Sequence, residues 1–62
     1  MSYYLMQDTG ETDCVVFHSE EFERATAAMA EHAEHTPWAH LSLWNSHGVL
    51  VAAQAPRSVS RG

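Results

Sequence analysis

Residues 19–37, Ser19-Glu20-Glu21-Phe22-Glu23-Arg24-Ala25-Thr26-Ala27-Ala28-Met29-Ala30-Glu31-His32-Ala33-Glu34-His35-Thr36-Pro37, decide the fold. Alanine, glutamate, methionine and arginine dominate the stretch, and all are good helix formers. The Ser19 hydroxyl can accept a bond from a free first-turn amide, so Ser19 reads as the N-cap. Glu20 and Glu21 then fall in the first turn, where the helix dipole favours acids. Pro37 disfavours α geometry in the residue before it and ends the helix near Thr36. At 100° per residue, Phe22, Ala25, Met29 and Ala33 lie within about 80° of one another, an apolar stripe fit to pack on a sheet. Glu20, Glu23, Glu31 and Glu34 share another arc of about 80° on the opposite side.

On the N-terminal side of the helix, residues 2–7 carry Tyr3, Tyr4, Leu5 and Met6, and residues 13–18 carry Cys14, Val15, Val16 and Phe17. Both read as strands. The residues between them, Asp8-Thr9-Gly10-Glu11, have turn chemistry, with Gly10 free to take positive φ, and the pair reads as a hairpin. On the C-terminal side, residues 40–45 alternate, with Leu41 and Leu43 facing one way and Ser42 and Trp44 the other. Asn45-Ser46-His47-Gly48 is a turn, and residues 49–54 are a fourth strand. Leu41, Leu43, Val49 and Val51 are expected to supply one packed face. The sequence thus predicts a two-layer α+β domain over residues 1–54, ββαββ, with one amphipathic helix on a four-stranded, mainly antiparallel sheet. Residues 55–62 have little to bury and are expected to form a loose tail. One helix cannot cover everything apolar in such a sheet. Of Tyr3 or Tyr4, Met6, Trp44 and Leu50, some must lie on the open face or against a partner or second copy.

A chain of 62 residues makes one domain, and one of marginal size. Cys14 is the only cysteine, so no disulfide can staple it, which fits a reducing compartment. No apolar run approaches the roughly 20 residues that span a bilayer. Residues 1–4 lack the basic region and apolar core of a signal peptide. The expectation is a soluble protein of a bacterial cytoplasm, since abundant alanine with no lysine fits a GC-rich bacterial or phage genome. The net charge of −5 argues against direct binding to nucleic acid or to an anionic membrane.

That charge is segregated. All eight acids, Asp8, Glu11, Asp13, Glu20, Glu21, Glu23, Glu31 and Glu34, lie between residues 8 and 34, while Arg57 and Arg61 stand at the far end. Two readings compete. One is a solvated helix face, with Glu20 and Arg24 forming an ordinary surface pair. The other is a docking surface for a basic partner, made of Asp8, Glu11, Asp13, Glu20, Glu23, Glu31 and Glu34. Glu20 to Glu34 covers roughly 21 Å of helix, so the stripe carries one charge per ~5 Å, against one per ~1.7 Å for duplex DNA. The stripe alone is a dilute imitation of a duplex. The acids of the first hairpin must lie beside it for the imitation to hold.

Other candidates are weaker. His32 and His35 are helical neighbours, but Glu31-His32-Ala33-Glu34-His35 does not match the zinc-protease pattern His-Glu-x-x-His, and Cys14 has no finger spacing to any histidine. No metal or cofactor is expected, and a pH-responsive surface is the other use these histidines allow. Tyr3, Tyr4, Trp38 and Trp44 serve either as a binding hot spot or as core, with Trp38 capping the core where the helix turns into the third strand. No nucleophile elbow, phosphate loop or carboxylate pair can be read, so no catalytic residue is assigned.

In its small size, its acids from Asp8 to Glu34 and its lack of lysine, the chain resembles the phage-encoded anti-defence proteins, anti-CRISPR inhibitors among them. The resemblance implies a non-enzymatic inhibitor, monomeric or homodimeric, that offers carboxylates to a basic, nucleic-acid-binding protein. It assigns no role to any single residue. The alternative is a structural or homo-oligomeric module held by the open face of the sheet.

Overall fold

The computed structural model describes residues 1–56. Five elements follow one another: β1 (Tyr3–Asp8), β2 (Asp13–Ser19), α1 (Phe22–His35), β3 (His40–Asn45) and β4 (Leu50–Gln54). The order is the expected ββαββ. Of the expected tail, Ala55 and Pro56 have no regular structure and the rest lies outside the described residues. All ladders are antiparallel, and the sheet runs β2-β1-β3-β4, so β1 and β3 are the inner strands. Since β2 and β3 both run against β1, the helix between them forms a crossover that skips over β1.

Both turns use glycine where a side chain would be strained. Gly10 has φ 96° and Gly48 has φ 79°. Each turn also has a side-chain clamp. Gly10 N–H donates to Asp8 Oδ1 at 2.9 Å. Asn45 Oδ1 accepts from the N–H groups of His47 and Val49 at 2.8 and 3.0 Å.

The helix starts later than the sequence predicts. Its N-cap is Glu21, whose carbonyl accepts the Ala25 N–H at 3.1 Å, and Glu21 makes no side-chain cap bond. Ser19 is instead the last residue of β2, and its hydroxyl accepts the Glu21 N–H at 3.1 Å. Strand pairing with Tyr3 holds Ser19 in the sheet and delays the helix by two residues. Glu20 and Glu21 therefore precede the first turn, and Glu23 is the acid within it. At the other end Thr36 N–H donates to the His32 carbonyl at 2.8 Å, and Thr36 Oγ1 donates to Gln7 Oε1 at 3.0 Å, tying the helix end to β1.

The helix lies over β1, β2 and β3 and buries Ala25, Ala28, Met29 and Ala33. Beneath it Leu5, Leu41 and Leu43 are fully buried, and Tyr3, Val16, Phe17 and Ala52 pack around them. Alanine on the contact stripe lets the helix backbone approach the sheet closely. Phe22, expected on that stripe, is 47% exposed at the start of the helix and meets the Tyr3 ring edge-on at 5.4 Å. Ala25→Leu is expected to lift the helix off Leu5 and lower stability by about 1–3 kcal/mol, the usual effect of overpacking. A urea midpoint unchanged by this substitution would contradict the close approach.

The packed face of β4 differs from expectation. Leu41 and Leu43 are buried, but Val49 and Val51 are exposed. A bulge explains it: Leu43 pairs with Ala52 whereas Trp44 pairs with Leu50, which leaves Val51 as the extra residue. The slip turns Ala52 towards the helix and Leu50 away. A second bulge sits in β2, where Leu5 pairs with Phe17 and Met6 with Val15.

Candidate interaction surfaces

The seven carboxylates singled out from the sequence are all exposed, but they do not form one surface. Glu23, Glu31 and Glu34 lie on the outer arc of α1, away from the buried Ala25–Met29–Ala33 stripe. Glu20 lies just before the helix and Glu11 in the β1–β2 turn. Asp8 and Asp13 are direct cross-strand partners at the ends of β1 and β2. Strand alternation decides where these two point. Leu5 faces the helix, so Asp8, three residues on, faces the opposite side, and Asp13 goes with it. The helix acids and the strand acids thus sit on opposite faces of the two-layer domain. Like charges directly opposed across a ladder are unfavourable, which Asp8 relieves in part through its bond from Gly10 N–H.

The salt bridge within the described residues is Arg24 Nε to Glu21 Oε1 at 3.1 Å, rather than the expected Arg24–Glu20 pair. Both side chains are exposed, so it contributes little. It leaves Glu23, Glu31 and Glu34 without that arginine.

The face of the sheet opposite the helix is laid out in rows by the strand registers. The first row is His18–Tyr4–Trp44–Leu50 and the second is Val15–Met6–Ser42–Ala53. A third, at one end, holds Asp13–Asp8–His40. No acid or arginine stands in the first two rows. Tyr4, Val15 and Leu50 are exposed, at 37%, 50% and 48%, while Met6 and Trp44 are half-buried among them. Trp44 Nε1–H donates to Ser42 Oγ at 2.9 Å, so the indole lies along β3 with its one polar group already satisfied. The Tyr4 ring stands 6.1 Å from the His18 ring.

Trp38, expected to cap the core, is 55% exposed, and the small Ala39 is buried in its place. Trp38 lines a shallow recess of about 220 Å³ together with Asp8, Thr9, Gly10, His40 and Pro56. That is below the roughly 300 Å³ at which small-molecule pockets begin. His32 and His35 lie in the last helical turn, and among the described residues no three His, Cys, Asp or Glu side chains are grouped to hold a metal. Cys14 is exposed on the edge strand β2.

Sequence reasoning anticipated Tyr3 or Tyr4, Met6, Trp44 and Leu50 as a surplus that one helix cannot cover, and the structure packs Tyr3 against the core and leaves Tyr4 exposed. Sequence reasoning missed Val15 and His18, whose placement depends on the β2 bulge. No local signal in the sequence marks that bulge, so their placement follows only from the register of β2 on β1.

Fold and surface together define a two-layer α+β domain with one helix-covered and one open sheet face. No helix of the described residues is long and apolar enough to cross a membrane. No protein-family model matches the chain, and no curated protein or solved structure matches it at a significant level.

Proposed function

We propose that this domain is a protein-interaction module whose contact surface is the open face of its sheet. The observation that carries the reading is the pair of adjacent rows on that face, built from Tyr4, Trp44, Leu50, Val15 and Met6 without an acid or arginine among them. Contiguous exposed apolar surface rimmed by charge marks interaction sites, and tyrosine and tryptophan are the side chains favoured at their centres. Tyr4→Glu is expected to weaken retention of any protein the domain binds, itself included, at least tenfold, which is about 1.4 kcal/mol. Tyr4 lies outside the core cluster, so the fold itself should be kept, read as an unchanged far-ultraviolet circular dichroism spectrum. Retention on immobilised protein that survives Tyr4→Glu removes this reading.

A second reading rests on the outer arc of α1, where Glu23, Glu31 and Glu34 are all exposed. Here the domain is an inhibitor in a bacterial host cytoplasm. It presents carboxylates to a basic, nucleic-acid-binding protein such as a CRISPR or other defence complex. The geometry favours it less, because Asp8 and Asp13 lie on the other side and cannot raise the charge density of the helix stripe. The two readings respond oppositely to salt. Attraction between the acidic arc and a basic partner weakens as salt screens it, whereas contact through the apolar rows does not.

A further inference from the structure

We infer that the occupant of the open face is a second copy of this chain, related by a two-fold axis that runs along the strands between β1 and β3. The inference rests on the open face being the contact surface, and three features of the molecule lead to it.

The first is size. Four strands about 4.8 Å apart and five to seven residues long, at about 3.3 Å each, make a face of roughly 380 Å² as flat area. Side-chain relief adds to this, so two copies remove on the order of 1,000 Å² of accessible surface, the lower bound for a specific interface. The second is the core. Among the described residues, only Leu5, Leu41 and Leu43 of the large side chains are fully buried. Domains this small commonly gain stability from disulfides, metals or association. One cysteine and no metal grouping among the described residues leave association.

The third is register. Tyr4 pairs with Trp44 and Asp8 with His40 across the inner ladder. An axis along the strands between β1 and β3 exchanges the two members of each pair. It therefore lays Tyr4 on the partner's Trp44, Met6 on the partner's Ser42, and Asp8 on the partner's His40. Apolar row meets apolar row, and the acid meets a histidine instead of another acid. The other two-fold, across the strands, would set Asp8 on the partner's Tyr4 and leave a carboxylate against an aromatic row, which is unfavourable. Aligned packing of this kind, with sheets about 10 Å apart, is a common way for two sheets to meet. The acidic arcs of the two helices then point outward on opposite sides, farther apart than the screening length of about 8 Å.

Light scattering and sedimentation over about 1 µM to 1 mM bracket an interface of this size. The mass should rise from the 6.9 kDa monomer to twice that value. Trp44→Glu should weaken the association at least tenfold with the circular dichroism spectrum unchanged. Register is read separately in a Cys14→Ser background. Sheets 10 Å apart are too distant for a disulfide, so a short bismaleimide is used. Val15 and Ala53 end the second row, three strand spacings or about 14 Å apart, and the axis along the strands lays each on the other. Protein carrying Val15→Cys mixed with protein carrying Ala53→Cys should cross-link between copies, and Val15→Cys alone should not. Efficient Val15→Cys homodimer cross-linking overturns this register in favour of the other axis. A monomer throughout the concentration range overturns the self-pairing altogether. The wider reading fails on different grounds, namely retention of a bound protein that Tyr4→Glu leaves intact.

Discussion

Leu43→Ala is expected to leave the chain without a cooperative thermal transition. Leu43 is fully buried, pairs directly with Leu5 across the inner ladder, and sits beneath the alanine stripe of the helix. Leucine to alanine in a packed core lowers stability by about 2–5 kcal/mol, the larger values where the cavity cannot collapse. Collapse is blocked here because β3, the strand that carries Leu43, is held by ladders on both sides. A domain under 70–80 residues rarely draws more than about 3–5 kcal/mol from its single core. The loss is therefore as large as the stability itself. Circular dichroism against temperature checks this, with Val15→Ala as the control. Val15 is half-exposed outside the core cluster, and its truncation should shift the midpoint by only a few degrees. If the domain pairs with itself, midpoints rise with concentration, so both variants must be compared at one concentration. A Leu43→Ala melt within a few degrees of the parent would show that the three leucines are not the core.

The helix and the turns were legible because their signals are local. Ala25, Met29 and Ala33 recur at helical spacing, Pro37 closes the stretch, and Gly10 and Gly48 stand where positive φ is needed. What was not legible depends on pairing. Whether Ser19 ends a strand or caps a helix is settled by its partner Tyr3, not by its neighbours in sequence. The bulges that leave Val16 and Val51 as extra residues interrupt a period of two without any glycine or proline to announce them. The acids show the consequence most clearly. Tyr3-Tyr4-Leu5-Met6 is apolar at every position, so it carries no alternation from which to read the side that Asp8 takes. Only when Leu5 is seen beneath the helix do Asp8 and Asp13 fall on the opposite face. A surface that seemed continuous in sequence is divided by one strand's pleat.

That division makes the final expectation selective. Replacing Glu23, Glu31 and Glu34 together by arginine should abolish binding to a basic partner if the helix arc is the docking surface. Glu23 and Glu34 lie eleven residue steps apart, about 16.5 Å of helix, and the triple change alters the charge along that length by six units. Exposed ion pairs contribute only about 0.2–1 kcal/mol each, but like charges brought together across an interface cost several kcal/mol. A loss of at least a hundredfold follows, about 2.7 kcal/mol. Folding should survive, because all three side chains are exposed, although arginine at Glu23 opposes the helix dipole and lowers stability by about 0.3–1 kcal/mol. Replacing Asp8 and Asp13 by asparagine should leave this binding in place, since they face away from the arc. The measurement is retention of host-lysate proteins on immobilised domain at low and at high salt. Loss on reversal, together with loss in high salt, supports the acidic arc. Retention indifferent to both ends that reading. Retention that survives high salt and the arginine triple but is lost with Tyr4→Glu assigns recognition to the open sheet, and the acids of α1 then serve as its solvated outer face.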